Sequence, residues 1–138
     1  MAKEKDDRRV KYTKMILKQT LISILGQKSI EKITVKEICE KADLNRSTFY
    51  AHFKDPYDLL RQIEDELMRG INMHLRKLTF IGDENETFKL MKTIFEYIVE
   101  NADLCRALMG EYGDISFQKE IMMLIQEQKM EEWMHQKD

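Results

Sequence analysis

One proline, five glycines and two cysteines are all that this 138-residue chain has of the residues that break or staple a fold. So few breakers exclude a loop-rich or collagen-like chain, and two cysteines exclude a disulfide framework. Cys39 falls on the apolar face of a short helix, so both thiols are expected reduced and buried. No apolar run approaches the roughly eighteen residues of a membrane span, and the charged N-terminus carries no signal-like segment. A cytoplasmic location is the resulting expectation. The three histidines have no i, i+4 His partner and no cysteine at a zinc-like spacing, which excludes a recognisable metal site. There is no phosphate-cradling glycine loop and no nucleophile elbow. Acidic runs such as Glu64-Asp65-Glu66 read as solvated helix faces. No catalytic residue and no cofactor are expected, and the chain is not read as an enzyme.

What is present is helix former and charge: 43% apolar and 35% charged residues, with a net of -2. The charge is unevenly placed. Residues 1–60 hold thirteen Lys or Arg against nine Asp or Glu, a net of +4, and residues 61–138 hold ten against sixteen, a net of -6. A basic half would displace counterions from a phosphate backbone, and an acidic half would be held off it.

The basic half contains the most informative run, Ile33 to Phe53. It reads as two short helices around a tight turn, the pattern of a helix-turn-helix. Thr34 is an N-cap with Glu37 as its capping-box partner, and Val35, Ile38, Cys39 and Ala42 share an apolar face. In the second helix Asn45 is expected to cap, and Phe49 and Phe53 form an i, i+4 anchor into a core. Arg46, Ser47 and Thr48 then occupy the exposed first turn. At the start of a helix laid in the major groove, Arg46 could reach guanine O6 and N7, while Ser47 is small enough for close approach. Thr48 and Tyr50 suit phosphate or thymine-edge contacts, and His52 and Lys54 are placed for the backbone. Thr34 could offer a phosphate its hydroxyl and backbone N–H as well as capping. Solvated or packed roles remain alternatives for Arg46, Tyr50 and His52.

Around the motif, helical periodicity predicts a first helix from Tyr12 to Gly26, completing a three-helix head. A fourth helix is predicted from about Pro56 to Leu78, with Gly70 as a potential interruption. A linker at Gly82 to Glu86 precedes a fifth helix capped by Thr87, with the stripe Phe88, Met91, Ile94, Phe95, Ile98 and Val99. A short helix over Leu104 to Met109 and a turn at Gly113-Asp114 lead to a last helix capped by Ser116. That helix carries Phe117, Ile121, Met122, Leu124, Ile125 and Met130 on to Trp133. The expected fold is all-α: an N-terminal three-helix helix-turn-helix head joined by the long fourth helix to a helical C-terminal body. The expected units are residues 10–70, with the motif at 34–53, and residues 71–138.

The residues Ile33-Thr34-Val35, Ile38, Ala42, Ser47-Thr48-Phe49-Tyr50, His52-Phe53-Lys54 and Asp58-Leu59-Leu60 resemble the TetR-type (TetR/AcrR) bacterial transcriptional regulators. The resemblance implies a sequence-specific, double-stranded-DNA-binding regulator, commonly a repressor, that holds a palindromic operator as a homodimer. It favours the same readout and backbone assignments. Leu104 to Gly110 and Gly113 to Phe117 are similar to a Firmicutes-type branch that includes regulators of dihydroxyacetone kinase operons. The chain departs from the pattern at Asp43, where glycine is usual, and at Pro56, where a phosphate-contacting lysine is usual; Lys54 could substitute in part. Family members usually run further at the C-terminus, so a truncated chain or a reduced dimer interface is expected. Met91, Met109, Met122, Met123, Met130 and Met134 gather in the body and would suit a small apolar effector or a protein co-regulator. The alternative reading is a protein-interaction module that uses this Met-rich acidic body.

Overall fold

A computed structural model describes residues 2–78 and 84–137, in which seven α-helices and one 3-10 turn are present and no strand. The helices are α1 (Ala2–Leu25), α2 (Val35–Ala42), α3 (Arg46–His52), α4 (Pro56–Leu78), α5 (Glu84–Glu100), α6 (Ala102–Met109) and α7 (Ile115–Lys137). None of the described helices is long and apolar enough to cross a membrane.

The first helix starts ten residues before the expected Tyr12. Apart from Ala2 and Val10 its added segment is Lys, Glu, Asp and Arg, with no apolar stripe, and is exposed from Lys3 to Tyr12, so periodicity could not find it. Straight-chain charged residues are good helix formers in their own right. Further along, Leu17, Leu21, Ile24 and Leu25 are buried, as their spacing requires. The helix stops at Gly26, after which Gln27 and Lys28 both donate backbone N–H groups to Ile24 O at 2.9 and 3.1 Å.

The α1 helix packs against α2 and α4, and also against α6, so it is not confined to the head. A single buried cluster runs from Leu17 through Phe49, Phe53, Leu59 and Ile63 to Leu108 and Phe117. The long α4 has the expected bounds and continues through Gly70. A Cβ on Gly70 would lie 2.0 Å from the Tyr97 hydroxyl oxygen, so its missing side chain is what lets α5 approach α4. There the Tyr97 ring lies 4.7 Å from the His74 ring, and His74 Nδ1 bonds to Gly70 O at 2.7 Å.

Three expectations in the body are corrected. Glu84 to Glu86 belong to α5, which begins before Thr87; Gly82 and Asp83 of the expected linker and the Thr87 side chain lie outside the described part. The cap of α7 is Asp114, whose Oδ1 accepts from Ser116 N at 3.0 Å, because the chain turns into helix one residue before Ser116. The stripe on α5 is not core. Ile94 is half-buried, but Phe88 is 71%, Met91 61%, Phe95 67%, Ile98 48% and Val99 56% exposed. Among the described residues of α5, Tyr97 is the one packed against the buried cluster, on the side where α5 meets α4 and α6. On α7, Phe117 and Ile121 are buried, whereas Met122 and Ile125 are exposed. The side chains of Leu78, Met130, Trp133 and Met134 lie outside the described part.

Where α4 meets α7, Glu64 departs from the solvated face expected of the Glu64-Asp65-Glu66 run: it is 2% exposed and its Oε2 has no hydrogen-bond partner. Burial first, and then the neighbouring Asp114 carboxylate, push its pKa up to about 8. On the surface of the same joint Arg61 pairs with Asp65 and with Glu120, at 3.4 and 3.6 Å.

Candidate nucleic-acid interface

The motif is held from its two ends and its turn. Buried Ile33 leads into extended Thr34, whose Oγ1 accepts the backbone N–H of Glu37 at 3.1 Å. The reciprocal half of the expected capping box is replaced, since the Glu37 carboxylate is ion-paired with Lys28. Ile38 and Cys39 face inward. The turn needs one left-handed residue, and Asp43 takes it at φ 57° and ψ 47°. It is the only non-glycine residue with positive φ among those described. Asp tolerates this region better than most residues, which is why glycine is dispensable here. The Asp43 and Leu44 N–H groups both donate to Cys39 O, closing α2.

Asn45 occupies the N-cap position of α3 but makes no side-chain cap bond, which corrects the expectation. Its backbone carbonyl closes the first turn instead, accepting from Thr48 N at 3.1 Å and Phe49 N at 3.2 Å. The Arg46 side chain stands close enough to the buried Cys39 that its charge opposes the upward push of burial on the thiol. The net shift is upward, so Cys39 stays a protonated core thiol. Cys105 is only half-buried and is likewise pushed up by burial.

Phe49 and Phe53 anchor α3, fully buried with ring centroids 5.8 Å apart. At 100° per residue the remaining positions sort around that anchor. Arg46 and Tyr50 fall on one flank and are exposed; Thr48 and His52 fall on the other and are half-buried. Ser47 and Ala51 stand opposite the anchor, both exposed. Tyr50 rests edge-on against Phe49 at 5.5 Å with 57% of its surface open, and His52 lies edge-on to Phe53 at 6.3 Å. Ala51 was not singled out by its chemistry, but its register with Ser47 was readable.

Lys54 is exposed just past α3, and its backbone N–H donates to Asp58 Oδ2 at 2.9 Å. Asp58 N in turn donates to Asp55 Oδ1 at 2.8 Å. This reciprocal box around Pro56 fixes the corner between α3 and α4. Asp-Pro-x-Asp was its available signal. Six of the seven candidate residues, Arg46, Ser47, Thr48, Tyr50, His52 and Lys54, thus lie along α3 and its exit. Thr34 sits apart, at the end of α2 far from the turn, and is exposed. Among the described residues no cluster of His, Cys, Asp and Glu could hold a metal ion.

Comparison with known proteins accords with this geometry. Residues 19–63 match the model of bacterial regulatory proteins of the tetR family, and residues 85–138 match a transcriptional regulator C-terminal region. An uncharacterized HTH-type transcriptional regulator, YxbF of Bacillus subtilis (strain 168), is 29% identical over 95 residues. That match covers 54% of this chain and 25% of the relative, so the chain spans a quarter of that protein's length. No solved structure matches. With its head and its body each matching a model of such regulators, and a helix-turn-helix where the first model lies, the chain is similar to the tetR family of bacterial regulatory proteins over residues 19–63 and to a transcriptional regulator C-terminal region over residues 85–138.

Proposed function

We propose that the chain is a sequence-specific DNA-binding transcriptional regulator, acting as a repressor that holds a palindromic operator as a homodimer. The observation that carries this reading is α3, a short helix tied down by Phe49 and Phe53 with Arg46, Ser47, Tyr50 and Ala51 turned outward. Arg46 reads guanine through O6 and N7, and Ser47 and Ala51 form the small surface that lets the backbone close on the base edges. The Ala51 methyl suits a thymine methyl group. Tyr50, Thr48 and His52 supply phosphate or base-edge contacts from the flanks, and Lys54 and Thr34 hold the backbone. As the carbonyl of Asn45 closes the first turn, Arg46 and Ser47 need no capping role.

Effector control enters through the body. Met91, Met109, Met122 and Met123 are exposed, so they do not serve as the core filling that is their ordinary role. A cleft of about 800 Å3 instead lies between α1, α4, α5 and α6, with Ile22, Leu67, Tyr97, Leu104, Lys18 and Glu66 on its walls. Occupation of this cleft would move α1 and α4, which carry the head. The Leu104 to Phe117 segment favours the branch that includes dihydroxyacetone kinase operon regulators, without fixing an operon.

Mobility shift on genomic fragments tests the reading. Retained fragments should lose affinity by roughly 10³ to 10⁵ between about 50 and 200 mM salt, as for about six to ten phosphate contacts. No retained fragment at low salt overturns it.

A further inference from the structure

We propose that the joint between α4 and α7 is a proton-operated latch: a proton held between Glu64 and Asp114 keeps α7 on α4, and its loss to water frees α7. The latch does not depend on what α3 binds. The register of α4 puts Glu64 in the core. Leu60, Ile63 and Leu67 are buried at spacings of three and four residues, and Glu64 shares their face, where an apolar residue would be expected. It is the one buried polar or charged side chain among the described residues, and its Oε2 has no hydrogen-bond partner. Desolvation weighs far more heavily on a carboxylate than on a neutral carboxyl group, so a site of this kind favours the protonated form.

The proton's second holder is Asp114, in the turn before α7. Its Oδ1 accepts from Ser116 N at 3.0 Å and its carbonyl from Gln118 N at 3.1 Å, so the residue is fastened to the first turn of α7. Asp114 acts on Glu64 through its charge and through a side-chain hydrogen bond. Two carboxylates offer only acceptors; one proton makes Glu64 a donor, and Asp114 can take the bond. When that proton leaves, the same contact becomes a repulsion between like charges in a site closed to water. The other charges acting on Glu64 are Arg61, three residues back on α4, and Glu120 of α7. Arg61 opposes the repulsion and Glu120 adds to it, but these two pair with each other at the surface, at 3.6 Å. Helices α1 and α5 also pack on α4, and the α1 cation that reaches it, Lys18, is paired with Glu66.

Little else holds α7 apart from Gln118, whose side-chain amide donates to Leu108 O and Gly110 O at 3.0 and 3.2 Å. Its chief packing partner is α4, and among its described residues Phe117 and Ile121 are buried while Met122, Met123 and Ile125 are exposed. An element with so few buried contacts opens more readily than the core around it. Glu64 stands eight residues beyond Pro56, about 12 Å along α4, so a docked α7 braces the part of that helix nearest the head.

Hydrogen exchange of the full 138-residue chain from about pH 5 to about pH 9, corrected for the intrinsic rate at each pH, tests this. Glu64 ionises near 4.5 when free and at about 8 when α7 is docked, so between those values each opening of α7 releases a proton. Amides of residues 118–125 should be less protected than those around Leu21 and Phe49. Their protection should fall by up to about tenfold per pH unit and level off above about pH 8. Glu64→Gln, whose amide donates to Asp114 at every pH, should abolish that slope. Asp114→Asn keeps an N-cap and can donate to ionised Glu64. Its loss of protection should therefore level off at a lower pH, leaving α7 better protected at pH 8 than in the wild type. Wild-type protection that is flat from pH 5 to pH 8 overturns the latch, as does a slope that survives Glu64→Gln. Residues 118–125 that exchange no faster than the head at any pH also overturn it, since α7 would then open only with the whole fold. A levelling pH unmoved by Asp114→Asn overturns the role of Asp114.

Discussion

At the scale of single residues, the outward side of α3 divides into a polar flank and a small-residue pole, and the two predict different losses. Arg46→Ala should relax base preference at one operator position, costing about 1–3 kcal/mol there, as seen by competition with mutated sites. Lys54→Ala should weaken binding to all sequences alike and lower the salt slope by about one. Most of this face was legible, because Phe49 and Phe53 at i, i+4 fix the helix phase and everything else follows from 100° per residue. The cap was not. Ser, Thr, Asn and Asp at a helix start signal where the helix begins, but a backbone carbonyl can close the turn while the side chain stays in water, as at Asn45.

At the scale of elements, α4 shows what local sequence can and cannot specify. Its start was legible because Pro56 fits a first helical turn and cannot fit an interior one. The Asp55 and Asp58 box adds two backbone-to-carboxylate bonds there, and Asp58→Ala should cost about 1–2 kcal/mol, measured by denaturant unfolding. Continuity through Gly70 could not be read from α4 itself, because the reason is Tyr97 on another helix. Gly70→Ala gains about 1 kcal/mol of helix propensity, yet it should lower Tm by displacing Tyr97. Adding Tyr97→Ala should then cost less than it does alone, a non-additivity that measures the contact. Helix α5 was legible as a helix, but the stripe that periodicity marks on it is largely exposed. Periodicity reports that one face is apolar, but not whether the rest of the chain covers it.

At the scale of the whole molecule, the joint between α4 and α7 links stability to pH. Glu64 ionises near 4.5 when exposed and near 8 in the fold, so over that window the folded state holds a proton that the unfolded state has released. Stability contributed at this site is therefore greatest at acid pH and falls as pH rises from about 4.5 to about 8, by at most about 5 kcal/mol. Glu64→Gln should flatten that fall and raise Tm above neutral pH, as thermal unfolding at a series of pH values would show. A chain whose Tm does not decline across the window would refute the assignment. The contact of α1 with α6 has a consequence in time as well. The two helices are separated by about 80 residues of sequence, which at roughly 5–20 residues per second takes about 4–16 s to synthesise. Until α6 leaves the ribosome, the newborn first helix has part of its apolar face open to water and to chaperones, so its reading head is complete in sequence well before it is complete in packing.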